Sequence, residues 1–211
     1  MTEKDKIILE AKRRGIEYVI HFTNINNLKN IFQYGLCPRD TLDYYGISHQ
    51  INDDYRLDNL TNSSSLSITS PNYKMFYRVR KENPDEKWVV IIFKAFKIFE
   101  LDCAFCKSNA ASSSVTSIPI NERKSAKAFS DMFYEPEIDS RKVRNLSDCE
   151  PTDPQAEILV FDSIPINYIE CVHFQSFDDY LWKKKLLDDY GIYGGSSSSF
   201  FSPRRDYSYW S

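Results

Sequence analysis

"KWVVIIFKAF", residues 87–96, carries an unbroken apolar run from Trp88 to Phe93. A run this short, rich in β-branched and aromatic side chains, reads as a strand buried on both faces and therefore central to a sheet. Working outward, "SLSIT" (65–69) is a shorter strand, and Ser70 and Pro71 suit the cap and first turn of a helix running to about residue 81. Upstream, "EYVIHF" (17–22) is a strand candidate, preceded by a helix over 4–14 that Gly15 closes. Thr23 or Asn24 can cap a further helix over about 26–34, with Leu28, Ile31 and Phe32 on one face and Gly35 as its stop. The polar stretch 36–64 is longer than loop statistics favour, so it is either functional or holds short helices.

Downstream of the central run, 107–120 is serine-rich and turn-like and 121–134 reads as a helix. "AEILVF" and "YIECVHF" are strands joined by "DSIPIN", a tight hairpin-like link, and a helix over 177–189 follows. Strands and helices mix without regular βαβ alternation and without an internal repeat, which gives an α+β class. One domain is expected over 1–190. The remainder, 191–211, is a low-complexity tail ending "GGSSSSFFSPRRDYSYWS", expected to be mobile or a partner-binding end.

Composition bounds the function. The chain has 211 residues, 42% of them hydrophobic and 15% aromatic, enough for a proper core. A formal charge of -3 argues against nucleic-acid binding by bulk charge, so such a function would need a local basic surface. No segment has the apolar length to span a bilayer, and the N-terminus lacks the features of a signal peptide, so no membrane association and a cytoplasmic location are expected. Five cysteines fit reduced thiols better than a disulfide framework. Cys103 and Cys106 form a CxxC, but Cys149 and Cys171 are not spaced as a second ligand pair, so no metal site is expected.

Few positions carry chemistry. Glu157 stands at the leading edge of an apolar strand, after an approach that Pro154 keeps from being helical. His21 ends a strand just before a helix start, where free N–H groups favour a polar ligand. Taken singly, Glu157 reads as an exposed strand-end acid, His21 as a half-buried histidine and Arg56 as a surface arginine among acids. Tyr73 and Tyr77, at i and i+4, read singly as packing residues.

Together, however, the segments are similar to one family. "YVIHFTNINNLKNIFQYGL" resembles the opening of DarT-type DNA ADP-ribosyltransferases, a His-x-Thr strand followed by an Asn-Leu helix ending in Gly. "PQAEILVFDSIP" resembles that family's catalytic strand, and "SITSPNYKMFYRVR" occupies the place of its middle motif. The resemblance covers about residues 17–175 in the right order. The middle motif departs from the family pattern, in which Pro-Arg precedes the Met. Here Asn72, Tyr73 and Lys74 precede Met75.

The resemblance implies an ADP-ribosyltransferase-like split mixed sheet with flanking helices. It implies NAD as co-substrate, without a metal, and transfer of ADP-ribose to guanine or thymine in single-stranded DNA. The altered middle motif tilts that choice towards guanine. Glu157 would stabilise the oxocarbenium-like state and take the acceptor's proton, with Arg56 over the pyrophosphate or acceptor. His21 and Thr23 would hold the NAD ribose, and Tyr73 or Tyr77 would stack on nicotinamide. Arg123, Lys124, Lys127, Arg141 and Arg144 flank the Glu157 strand in sequence and are the expected DNA groove. Members of the family act as toxins reversed by a cognate antitoxin glycohydrolase, which is the implied partner. Two alternatives remain: the same reaction on RNA or protein, and a non-enzymatic nucleic-acid-binding module.

Overall fold

The computed structural model describes residues 1–51, 60–135 and 140–210. In it the apolar run becomes strand β3 (Trp88–Lys94), buried from Trp88 to Phe93. Side chains alternate along a strand. Val89, Ile91 and Phe93 therefore enter the larger core, while Trp88, Val90 and Ile92 enter a second cluster on the opposite face. β3 lies between β1 (Tyr18–Asn24) and β6 (Ile169–Phe174), antiparallel to both. Among the described residues the strand order is β4 (Cys103–Cys106), β5 (Glu157–Val160), β2 (Ser64–Ile68), β1, β3, β6, β7 (Tyr193–Ser196). Among the described residues only β6 and β7 pair in parallel, so the sheet is mixed and the class is α+β.

The feature that creates a site is the divergence of β1 and β2. Ser67 and Ile68 of β2 pair with Ile20 and Val19 of β1, whereas its earlier residues pair only with β5. Past Ile20, among the described residues, β1 has ladder pairing with β3 and not with β2. The sheet is thus split between residues 21–23 of β1 and 63–65 of β2.

Four helices lie along the chain around these strands. α1 (Glu3–Arg13) begins in a capping box between Thr2 and Asp5 and buries Ile7 and Ala11. α2 (Leu28–Tyr34) follows a single turn, Ile25–Asn27, whose start is capped by the Asn24 side chain. Gly35 ends α2 at φ +85°, and a Cβ there would lie 2.4 Å from the Ile164 carbonyl oxygen. Only glycine permits the paired bonds between Leu36 and Ile164 that fasten α2 to the far side of the core. α3 (Arg39–Tyr44) occupies part of the long polar stretch, and α4 (Tyr73–Glu82) packs Phe76 and Val79 into the second cluster.

Several expectations are corrected. α4 is capped by Asn72, not Ser70, because the chain leaves β2 through a tight turn with Thr69 at φ +59°. Residues 162–167 do not form a hairpin link: β5 and β6 are separated by β2, β1 and β3, and the connection crosses the core with Ile164 fully buried. The helix expected over 121–134 is broken into Ile120–Arg123 and Ala126–Asp131, because Ser125 caps the second piece. The tail from 191 packs on the domain. β7 extends the sheet, Phe201 fills the second cluster against Phe76, and Arg204 and Asp206 are buried. Gly194 allows that docking, since a Cβ would meet Leu187 of the Phe177–Tyr190 helix at 2.8 Å. Among the described residues no helix is long and apolar enough to cross a membrane.

Candidate active site

The split opens into a cavity of about 180 Å³ lined by residues of β1, β2, α2, the 36–51 segment and the start of β5. Glu157, first residue of β5, reaches it, and so do His21 and Thr23. Segments distant in sequence meet here because antiparallel β2 sits between β1 and β5 and brings both strands to one opening.

Glu157 is not the exposed acid its position in the sequence suggests. It is 7% exposed, and both oxygens accept hydrogen bonds: Oε1 from Asn72 Nδ2 at 3.3 Å, Oε2 from the Ala110 N–H at 2.9 Å. A carboxylate taken out of water needs such donors, and these two orient it. Asn72 is itself fixed, since its N–H donates to Ser67 Oγ and its Oδ1 accepts from the Met75 N–H at the start of α4.

His21 Nδ1 lies 2.9 Å from the Ser65 carbonyl oxygen. A carbonyl only accepts, so Nδ1 carries the proton in this bond, which spans the split and fixes the ring. Thr23, buried, accepts from Asn27 Nδ2 at 2.9 Å. Asn27 also exchanges two bonds of 2.8 Å with the Gln50 backbone, and Asn30 donates to the Ser48 carbonyl. These bonds hold residues 48–50 against α2 at the cavity wall. His49 lines the same wall: its Nδ1 bonds the Ile47 carbonyl, and its Nε2 is enclosed without a hydrogen-bond partner. Arg39 also lines the cavity, 3.9 Å from Asp43.

Arg56 lies outside the described residues. The remaining sequence candidates do not reach the cavity. Tyr73 and Tyr77 stack on each other, ring centroids 5.9 Å apart, with Trp210 of the tail 6.2 Å from Tyr73. At about 100° per residue they project from the opposite side of α4 to cavity-lining Met75. Nor do the five basic residues form a groove there. Arg123 is buried beneath β4 with Nη1 3.7 Å from Cys106 Sγ. Lys124 pairs with Asp102 at 2.6 Å, and Lys127 pairs with Asp131 one helical turn away. Arg141 donates to Thr152 Oγ1 and to the carbonyls of Ser147 and Glu150, and Arg144 donates to Asp206 and the Thr152 carbonyl. Proximity to β5 in sequence suggested a DNA role for these arginines; in the fold their guanidiniums hold the loop before it. Burial pushes the Cys103 thiol up to about 12, and among the described residues no three potential metal-ligating side chains are gathered.

Asn72, Arg39, His49 and the Ala110 N–H are the site groups that the sequence reading missed. Asn72 had a signal, being an N-cap residue type just ahead of an apolar helix face. A backbone N–H such as that of Ala110 has none.

A sequence model of the family described as "ssDNA thymidine ADP-ribosyltransferase, DarT" matches residues 20–193. No curated protein sequence matches the chain. Among solved structures, Thermosipho africanus DarTG in complex with ADP-ribose superposes with a TM-score of 0.62 at 19% identity, covering 88% of this chain and 51% of that one. This chain thus spans about half the length of that protein. Thermus sp. 2.9 DarT in complex with NAD+ gives a TM-score of 0.57 at 15% identity, covering 88% and 97% of the two chains. The same DarT in complex with ADP-ribosylated ssDNA gives 0.58 at 15% identity, covering 88% and 96%. At these identities the likeness is one of fold.

Proposed function

Because the chain belongs to the DarT family of ssDNA thymidine ADP-ribosyltransferases, we propose that it transfers ADP-ribose from NAD to a thymine base in single-stranded DNA. The observation that carries this reading is the buried, doubly hydrogen-bonded Glu157 carboxylate at the split of the sheet, in one cavity with His21. The altered middle motif pointed towards guanine. The matched family is described by thymidine, and thymine is the base proposed.

The chemistry needs such a carboxylate. The bond between the nicotinamide nitrogen and ribose C1′ breaks, its electron pair leaves with nicotinamide, and positive charge develops on the ribose as in glycoside cleavage. A fixed anion in a water-poor cavity stabilises that charge, because it needs no reorganisation when the charge appears. In thymidine the ring nitrogen that can attack is N3. A bond forms from N3 to C1′, and the N3 proton passes to Glu157. N3–H lies on the pairing edge of the base, so a duplex hides the nucleophile that a single strand presents.

The cavity's polar wall suits the rest of the dinucleotide. His21, fixed through Ser65, and Thr23, which sets Asn27, support a role at the NAD ribose. Arg39 supports a pyrophosphate contact, a role the resemblance gives to Arg56. The unpartnered His49 Nε2 suits an acceptor for a ribose hydroxyl. Tyr73 and Tyr77 face the tail, and no nicotinamide contact is assigned to them. Family membership further supports a toxin whose partner is an antitoxin glycohydrolase that removes the ADP-ribose.

The test is a panel of acceptors with NAD labelled in its adenylate part: single strands of adenine and cytosine containing one thymine or one guanine, the matching duplexes, RNA and protein. Mass spectrometry is expected to find one ADP-ribosyl group on the thymine strand. Labelling of RNA or protein alone, equal labelling of duplex, or labelling confined to guanine would refute the proposal.

A further inference from the structure

Five arginines donate to the segment 145–153, which leads into β5 and Glu157; Arg14, at the end of α1, reaches the Asp148 carbonyl at 3.3 Å, and the other four come in two pairs. Two come from the turn before it: Arg141 donates to Thr152 Oγ1 at 2.7 Å, and Arg144 donates to the Thr152 carbonyl at 2.8 Å. Two come from the tail: Arg204 donates to the Pro151 carbonyl at 2.7 Å, and Arg205 donates to the Asn145 carbonyl at 2.7 Å and pairs with Glu150. Asp206 joins the groups. Its side chain is completely buried, accepting from Arg204 Nε at 2.7 Å and from Arg144 Nη2 at 2.5 Å. One carboxylate thus locks a tail arginine and a loop arginine onto adjacent carbonyls, Pro151 and Thr152, a few residues before Glu157.

This cluster lies outside the cavity, and its tail half lies beyond the residues that match the family. Elsewhere the segment is held by the Glu150 carboxylate on the Ser147 N–H and by Cys149 packed on the core. Between Glu150 and β5 its backbone bonds are Thr152 N–H to the Met132 carbonyl and a local turn at Asp153. A carboxylate that must meet developing charge tolerates only a fraction of an ångström of misplacement, so the approach to β5 needs a rigid anchor. We propose that Asp206 is a positioning residue for the reaction: through Arg144 and Arg204 it uses the C-terminal segment as a clamp that sets the approach to Glu157. The clamp rests on the reading of Glu157 given under Proposed function.

Removing the shared anion leaves a buried guanidinium, Arg204, facing a partly buried one, Arg144, which opens the cluster. The full chain is compared with Asp206→Ala and with Asp206→Asn, which keeps one acceptor. Hydrogen exchange of amides 145–157 is expected to speed up by about tenfold or more in Asp206→Ala, with β3 amides unchanged. In nicotinamide release with a thymine-containing single strand, kcat is expected to fall by about tenfold or more while KM for NAD stays within about twofold. Asp206→Asn is expected to fall between the two. Unchanged exchange at 145–157 overturns the clamp whatever the activity. A kcat within about twofold of the parent, or a loss equal to the unfolded fraction seen by circular dichroism, overturns the positioning role. If the parent chain itself releases no nicotinamide, the reading of Glu157 fails and the exchange result alone decides the clamp.

Discussion

Asn72 gives the sharpest handle on the site, because two replacements separate its two duties. Its Nδ2 donates to Glu157 at 3.3 Å, and its Oδ1 caps α4 through the Met75 N–H at 3.3 Å. Asn72→Ala removes both. At that length the bond to the carboxylate contributes about 1.5 kcal/mol, the low end for a charged acceptor, and the cap contributes about 1 kcal/mol. Their sum, about 2.5 kcal/mol, is expected to lower Tm by about 5–10 °C in a domain of this size. Asn72→Asp keeps a capping oxygen but sets a second carboxylate beside Glu157. Two charges at that spacing repel by no more than about 5 kcal/mol at an effective dielectric constant of about 20, so the folded pair retains a proton that the unfolded chain has released. The folded state then binds more protons above the unfolded carboxylate range near pH 4, and stability falls as pH rises from there through the raised pair value. Thermal melts at about pH 5 and about pH 8 are therefore expected to reverse the order of the variants, with Asn72→Asp the stabler at the lower pH and Asn72→Ala at the higher. Nicotinamide release is expected to be weak in both. If Asn72→Asp is as stable and as active as the parent at the higher pH, Asn72 does not bond the Glu157 carboxylate.

Gly35→Ala is expected to cost about 3 kcal/mol, because φ +85° with extended ψ is a glycine conformation and the new Cβ meets the Ile164 carbonyl; chemical denaturation measures it, and a cost below about 1 kcal/mol would contradict the geometry. Cys103, buried and with its thiol pushed up to about 12, is expected to resist iodoacetamide in the native protein while partly exposed Cys37 reacts; mass spectrometry of the alkylated peptides reads this directly. Burial alone would raise the Asp206 carboxyl, but hydrogen bonds from Arg204 and Arg144 outweigh it and hold the carboxyl below its ordinary value. Its contribution is complete above the unfolded carboxylate range and is lost as pH falls through the lowered folded value. The Tm gap between parent and Asp206→Asn is therefore expected to narrow on acidification, and a gap independent of pH would refute the assignment.

The sheet was legible where burial leaves a one-dimensional signature. The two-sided run of β3, the His-x-Thr strand and the apolar β5 were all readable, as were the stops at Gly15 and Gly35, because period and turn chemistry are local. What failed was whatever depends on tertiary partners. The serine- and glycine-rich tail has the composition of a linker, yet Gly194 and Phe201 fit surfaces made by Leu187 and Phe76, which no local pattern reports. Arg141 and Arg144 looked like a DNA surface because charge is visible in sequence and its acceptors, the carbonyls of 147–152, are not. Tyr73 and Tyr77 lie on the expected helix but face the tail and not the cavity, since a helical repeat says which residues share a face without saying what that face meets. Glu157 and His21, named through family resemblance joined to chemistry, are brought into one cavity. Asn72, Arg39 and His49 became visible only when the split between β1 and β2 had a shape.

The central claim is that the buried Glu157 carboxylate drives transfer from NAD to single-stranded DNA. Glu157→Gln is the direct test, because an amide of the same shape keeps an acceptor for the Ala110 N–H and loses the charge together with the weaker, 3.3 Å bond from Asn72. Nicotinamide release and mass gain on a thymine-containing single strand are measured for parent and variant at equal folded fraction, with NAD affinity followed separately by calorimetry. The account predicts NAD binding within about threefold of the parent and a kcat lower by about a hundredfold or more. Modification of the strand by the Glu157→Gln protein within about tenfold of the parent rate would contradict it.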